Sequence, residues 1–358
     1  MIHDIVQQPD KIPNFDVVFI DEAQDLSPIQ WKLYDILKSK SKNIYLAGDD
    51  DQAIYGWAGA DVDRFIQEPA TEKVLSKSRR IPKAVQDISE IITARIEGLR
   101  ATKNYLPRAQ EGLCSKINSL ENINLHEDNW LILTRTLSRA KEVCDLLKVK
   151  GLYYENRHQK SYNTKLYKAI VNHTKWLNGE TITDTARADI IEYLGNRELI
   201  KDRNNYNLKW FECFDNAPAE DKIYIRLMLS NKEKLSDSAR IKVSTIHAAK
   251  GGECENVILV LDNAKKIREA ITKSIIKRDE EHRVWYVGCT RAKRNLYLMR
   301  AKIERKGYQF ISKNVLSFFQ GNVVKYVCRY QRKGGAEDLK KIVHYCQLEM
   351  LKMKDAKK

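Results

Sequence analysis

The chain has 358 residues, 43% hydrophobic and 31% charged, a composition that suits two or three globular domains and excludes a mini-protein held by disulfides. Its 63 Lys and Arg against 48 Asp and Glu leave a net charge of +15, which favours a polyanion, nucleic acid first, as partner. No apolar run approaches the roughly 20 residues that span a bilayer, Met1-Ile-His-Asp does not read as a secretory leader, and the seven cysteines include no Cys-x-x-Cys pair. A cytoplasmic protein with no membrane span, disulfide framework or zinc site is therefore expected.

In chain order, Phe15-Asp-Val-Val-Phe-Ile20 is a short apolar run of the kind buried in a parallel sheet. A helix should follow it, since Ser27 can cap, Pro28 suits the first helical position, Gln30 completes a capping box, and Ile29, Leu33, Ile36 and Leu37 fall on one face. Asn43-Ile-Tyr-Leu-Ala47 reads as the next strand. Strand and helix patterns keep alternating through Trp130–Thr134, Ser138–Lys148, Ile241–Thr245, Asn256–Leu261, Glu280–Cys289 and Asn295–Met299. Such alternation predicts an α/β fold with parallel sheets. From about Ser161 to Ser238 the spacing turns helical, as for an insertion, and from about Lys313 two amphipathic helices hinged at Gly334-Gly335 are expected.

Asp21-Glu-Ala-Gln-Asp25 follows the first strand directly, and paired carboxylates at the carboxyl end of a parallel strand lie where open α/β sheets bind ligands. Asp21 is suited to hold Mg²⁺ and Glu22 to accept a proton from a water attacking a γ-phosphate. An acidic first turn of a helix accounts for the same residues. Gly48-Asp-Asp-Asp-Gln-Ala-Ile-Tyr-Gly-Trp-Ala-Gly-Ala60 follows the next strand; there Gln52 can sense a phosphate or orient a water, and Tyr55 and Trp57 can stack on unpaired bases. A core tryptophan beside glycines is the plainer alternative for Trp57.

Together these two segments resemble motifs II and III of the UvrD/Rep family of superfamily 1 DNA helicases. Ser76-Lys-Ser-Arg-Arg-Ile-Pro82 resembles motif IV, and Trp130–Thr136 the opening strand segment of the second RecA-like domain. Val243-Ser-Thr-Ile-His-Ala-Ala-Lys-Gly-Gly-Glu253 resembles motif V, and Glu280–Lys293, with Thr290-Arg291-Ala292, motif VI. All stand in the family's order between residues 15 and 300, an agreement that chance does not produce.

The resemblance implies RecA-like, P-loop NTPase-type parallel sheets: a partial first domain over 1–75, a second over 76–160 and 239–312, a helical insertion over 161–238 and a helical tail over 313–358. It implies ATP and Mg²⁺ as cofactors and single-stranded and duplex DNA as partners, with translocation 3′ to 5′. Asp21, Glu22, Gln52, Arg80 and Arg291 would be catalytic, the two arginines approaching the γ-phosphate from the second domain. Arg79, Glu253 and Gly251 would lie on the nucleotide side, Glu253 accepting from the ribose. Tyr55, Trp57, Thr245, His247 and Lys250 would line the DNA track.

Three positions depart from the family pattern. Arg79 stands where an aromatic residue usually stacks on adenine, Ala58 where motif III often has arginine, and Gly252 where motif V has a bulky apolar residue. A larger departure is the phosphate cradle, Gly-x-x-x-x-Gly-Lys-Ser/Thr: no Gly-Lys dipeptide occurs in the 358 residues, and 20 residues precede Asp21. A separate polypeptide carrying the P-loop half is therefore expected, with an apolar face of the incomplete first sheet seeking it. The alternatives are a truncated remnant and a non-catalytic single-stranded DNA-binding module.

The tail segment Gln320–Tyr345 resembles a small helical domain of unknown function frequent in bacteriophage proteins, which points to a phage gene expressed in a bacterial host. Its Lys325, Arg329, Arg332 and Lys333 read either as phosphate contacts or as a solvated basic face.

Overall fold

The computed structural model describes residues 2–200, 208–300, 322–323, 326 and 335–355. Of these, the residues up to Cys144 and from Arg240 to Arg300 form one compact unit, and those from Asp145 to Ala239 and beyond Ala301 form another. In chain order the elements are α1 (Ile2–Val6), β1 (Phe15–Ile20), α2 (Pro28–Ser39), β2 (Ser41–Leu46), α3 (Val62–Gln67), α4 (Lys83–Thr93), β3 (Leu113–Ile117), β4 (Trp130–Thr134) and α5 (Leu137–Val149). Then come β5 (Tyr154–Asn156), β6 (Gln159–Lys160), α6 (Thr164–Leu177), α7 (Asp184–Tyr193), α8 (Trp210–Cys213) and α9 (Ala219–Ser230). The series closes with β7 (Ile241–Thr245), β8 (Cys254–Leu261), α10 (Lys265–Lys273), α11 (Ile275–Cys289), β9 (Ala292–Arg300) and α12 (Gly335–Asp355).

The fold is α/β, as its alternating pattern predicts. In the first unit β3, β9, β8, β4 and β7 lie side by side in that order, all parallel. All five residues of β4 are buried, which explains its unbroken apolar sequence. Ile132, Leu133, Val257, Leu259, Val284, Val287 and Leu296 form the centre of the core. Ile54, from the loop after β2, is buried in that same core with Ile81 and Val85. This is why residues 1–75 and 76–144, expected as parts of two domains, share one compact unit.

Strands β1 and β2 form a separate parallel pair, with Phe19 opposite Tyr45. The burial expected for β1 is not found: none of its six residues is buried, because α2 covers one face only and the other carries Phe15, Val17, Phe19 and Tyr45 exposed. Helix α2 starts as predicted, the Ser27 amide donating to Gln30 Oε1 at 2.8 Å. Its buried centre is Trp31 and Tyr34 rather than Ile29, Leu33, Ile36 and Leu37, which are half-buried. Arg64 lies over the Trp31 ring at 4.7 Å and Glu68 accepts from the Tyr34 hydroxyl at 2.8 Å, so aromatic partners outcompeted the aliphatic stripe.

The second unit is mainly helical and begins at Asp145, inside α5. Leu166 and Ile170 of α6, Ile190 of α7 and Ile225 and Met228 of α9 are buried in it. Tyr326 and Tyr345 stack at 5.9 Å. The first of the two expected tail helices, with Lys325, Arg329, Arg332 and Lys333, lies largely outside the described residues; the second is α12. No helix among the described residues is long and apolar enough to cross a membrane.

Candidate functional site

The carboxyl ends of β1 and β2 set the acidic side of the site. Asp21 and Glu22 leave β1 exposed, the Glu22 amide donating to Asp21 Oδ1 at 2.8 Å. Glu22 takes a left-handed backbone, φ 53°, at the turn into Ala23–Asp25, a conformation that costs a non-glycine residue on the order of 1–3 kcal/mol and projects its carboxylate outward. Buried Gln24 fixes the two loops together: its Nε2 donates to Glu22 Oε2 at 2.6 Å and its Oε1 accepts from the Asp49 amide at 3.0 Å. Gly48 is required at that crossing, since a Cβ there would come within 2.5 Å of Gln24 Oε1.

Gln52 is at the centre of the polar network. Its Nε2 donates to Asp49 Oδ2 at 2.8 Å, and its Oε1 accepts from the Arg291 guanidinium at 2.9 Å. Arg291, at the end of α11, is 1% exposed and also donates to the carbonyls of Val287 at 3.0 Å and Gly252 at 3.2 Å. Burial lowers its pKa to about 10, and the nearby Arg80 charge pushes the same way. Arg80 itself donates to Glu253 at 3.0 Å, and Lys293 pairs with the same carboxylate at 3.2 Å. The Lys293 hydrogen bond, against a smaller effect of burial, keeps Glu253 below the usual carboxylate range. Here Glu253 serves the two cations.

Lys250 lies against the acidic loop. Its side chain is 8% exposed, pairs with Asp25 and with Glu22 at 3.2 Å, donates to the Gln52 carbonyl at 3.0 Å and lies 5.2 Å from the Tyr55 ring. Burial raises the Asp25 pKa in spite of that lysine. Tyr55 donates to the His247 carbonyl at 3.2 Å, with the two rings 6.4 Å apart. Burial, together with the Arg135 charge, lowers His247 to a pKa of about 4, so the imidazole is neutral at pH 7. Thr245 Oγ1 accepts from the Ala248 amide at 3.3 Å and holds the turn after β7. Trp57 is 70% exposed, its ring 6.3 Å from Tyr55. Arg79 is exposed, and Gly251 takes φ 80° with open space where a side chain would stand.

The structure thus brings Glu22, Gln52, Lys250 and Arg291 into one network, places Arg80 and Glu253 together, and leaves Asp21, Arg79 and Trp57 facing solvent. Sequence reasoning missed the groups that hold the centre in place. Lys103 Nζ lies 2.5 Å from Asp49 Oδ1, 2.5 Å from Asp50 Oδ1 and 2.9 Å from Asp51 Oδ2, and Arg100 grips Asp51 through two bonds at 2.7 and 2.8 Å. Burial would raise Asp49, but Lys103 and the bonds from Gln52 and the Asp51 amide outweigh it and lower the pKa. The Asp-Asp-Asp run itself was the available signal: buried neighbouring carboxylates demand cations. Asp21 is exposed, its Oδ1 accepting from the Glu22 amide, and the described residues hold no group of three or more His, Cys, Asp and Glu side chains placed to share a metal ion.

Residues 9–72 match the UvrD/REP helicase N-terminal domain, 208–302 the UvrD-like helicase C-terminal domain, and 298–347 a family of unknown function, DUF3310. The chain is 26% identical over 246 residues to a probable DNA helicase II homolog of Mycoplasma capricolum, covering 62% of this chain and 34% of that protein. It is 35% identical over 97 residues to the ATP-dependent DNA helicases PcrA of Staphylococcus epidermidis and Staphylococcus aureus, covering 27% of this chain and 11% of theirs. The chain therefore spans about a third or less of the length of these relatives. With both helicase domains matched, the chain belongs to the UvrD/Rep-like superfamily 1 helicase family.

Proposed function

We propose that this chain is the motor portion of an ATP-dependent DNA helicase or translocase, completed for hydrolysis by a P-loop half on a separate polypeptide. The observation that carries this reading is the Gln52–Arg291 hydrogen bond beside Glu22, which joins a water-positioning amide to a charge-neutralising guanidinium. ATP with Mg²⁺ supplies the γ-phosphoryl group that is transferred to water. Asp21 would hold the metal, and Glu22 would take the proton of the attacking water. Arg80 and Arg291 would offset the negative charge that develops on the phosphoryl oxygens. Since Arg291 and Gln52 satisfy each other here, engagement of Arg291 by phosphate frees Gln52 Oε1 to accept from water, which makes nucleotide state and loop geometry interdependent.

Two observations support a P-loop half outside these 358 residues. The 358 residues contain no Gly-Lys dipeptide, and Phe19 and Tyr45 stack at 5.1 Å on an exposed apolar face of β1 and β2. Movement along DNA from 3′ to 5′ follows from the family alone. A phage gene acting in the cytoplasm of a bacterial host is the origin that the tail's resemblance to a small domain frequent in bacteriophage proteins implies. A second reading, a non-catalytic single-stranded DNA-binding module, is favoured by the exposed Trp57 and the charge of +15. DNA-stimulated ATPase, measured on the chain alone and mixed with a neighbouring gene product that carries a P-loop, tests both. Activity in the mixture alone supports the split motor; DNA binding without hydrolysis in either sample supports the module.

A further inference from the structure

Between motifs V and VI the chain carries a short stretch, Lys265–Arg278, with six cations and one carboxylate. Helix α10 occupies its first nine residues and buries none of them. Ile267, Ala270, Ile271 and Ser274 are half-buried at helical spacing, so the helix packs by one narrow stripe. Lys265 pairs with Glu269 at 3.7 Å, Lys277 with Glu280 at 2.7 Å and Arg278 with Glu97 at 2.7 Å. Lys266, Arg268 and Lys273 are exposed and have no ion-pair partner among the described residues. Lys266 and Lys273, seven residues apart, stand two turns apart on one border of the exposed face.

This helix leads through Ser274 into α11, which meets the aromatic loop. Ser274 ends α10 and caps α11, its hydroxyl accepting from the Lys277 amide at 3.3 Å. In the second turn of α11, Glu280 closes on Gly56, where a Cβ would come within 2.5 Å of its Oε1. Trp57 is the next residue, 70% exposed, and Ile275 and Ile276, 54% and 71% exposed, lie on the stretch of α11 between it and α10. Seven positions, broken at the extended Ser274, therefore separate Lys273 from Glu280, which meets the turn that presents Trp57. An exposed aromatic, two exposed aliphatics and cations without an ion-pair partner among the described residues are thus carried by α10, the start of α11 and the turn it meets. Single-stranded DNA offers this pattern's complement, base faces beside a phosphate backbone.

We infer that α10 is a phosphate-binding extension of the single-stranded DNA track, with Lys266 and Lys273 contacting the backbone of the strand whose bases stack on Trp57. The inference rests on the DNA-binding part of the proposed function and adds a site that the motif pattern does not contain. No sequence preference is expected from it, because lysine reads phosphate as a point charge.

The test is a salt titration of the 358-residue chain binding a fluorescent oligothymidylate of about 16 nucleotides, long enough for the larger single-strand site sizes. K266A/K273A should make the slope of log K against log salt shallower by about 1.4, at about 0.7 for each phosphate no longer neutralised, and K266E/K273E by at least as much. K11A/K42A, which removes two charges near the amino ends of β1 and β2, should leave the slope unchanged. Thermal melting of each variant checks that the fold is kept. Parallel slopes for the parent and K266A/K273A would reduce α10 to a solvated basic helix and overturn the inference. A change confined to a duplex probe would overturn its assignment to the single strand. Failure of the parent to bind DNA at all would instead sink the DNA-binding reading beneath it.

Discussion

Gln52 Oε1 accepts a hydrogen bond from the Arg291 guanidinium at 2.9 Å, although 239 positions separate them in the chain. The Val287 and Gly252 carbonyls hold Nε and Nη1 of Arg291 in a buried place, so the guanidinium stays anchored while its Nη2 bond to Gln52 is the one available for exchange. Replacing Arg291 by alanine should lower hydrolysis by the completed enzyme by about 10³–10⁵, the range for a phosphoryl-transfer arginine. Arg291→Lys should not rescue it, since an ammonium cannot span three acceptors in a plane. Steady-state ATPase beside DNA affinity checks this: equal losses in both would mean that the fold, not the chemistry, was damaged.

Lys103 should matter for stability before it matters for activity. It neutralises Asp49, Asp50 and Asp51, of which the last two are 1% exposed. Lys103→Ala strands these carboxylates and should cost about 3–5 kcal/mol, the usual penalty for breaking a buried ion pair on one side. Chemical denaturation reads this directly; a loss below about 1 kcal/mol would show that Arg100 alone suffices.

Acid should destabilise the first unit in two stages. His247 has its pKa lowered to about 4, so the unfolded chain binds its proton first and stability falls as pH drops from about 6.5 toward 4. Asp49 is lowered as well; its contribution is present above the ordinary aspartate pKa and is lost as pH falls through the folded value. His247→Gln should flatten the first stage and spare the second, as melting temperature against pH would show.

Trp57→Ala should separate binding from folding. The side chain is 70% exposed, so stability should change by no more than about 0.5 kcal/mol. Affinity for single-stranded DNA should fall by about 1–3 kcal/mol, the worth of one stacked base. Anisotropy titrations with unrelated sequences should give the same loss.

Phe19 and Tyr45 should govern association. Their stacked rings lie on an apolar sheet face, and F19S/Y45S should reduce self-association of the isolated chain and weaken capture of a P-loop-bearing half. Light scattering and pull-down with that half report the two effects. Unchanged association would place the partner surface elsewhere.

What the sequence determined by itself is local or periodic. The apolar run before Asp21, the Ser27–Gln30 capping box and the unbroken Trp130–Thr134 strand each depend on near neighbours, so their patterns survive in one dimension. The order of the motifs, and with it the family, was legible for the same reason. Helix α4 was legible too, in Val85, Ile88 and Ile92 at helical spacing, yet went unread beside the motif that precedes it. Strand β3, Leu-Cys-Ser-Lys-Ile, is short and mixed in polarity, and only pairing with β9 defines it.

Tertiary structure alone decided which charges meet. Lys250 reads from its motif as a residue of the DNA track, but in the fold it lies on Asp25 and Glu22. Lys103 carries no motif, yet it closes the aspartate cluster on which Gln52 depends. An ion pair has no period, and its strength depends on the water removed around it. That removal exists only once β1, β2, α11 and the segment around Lys103 have come together.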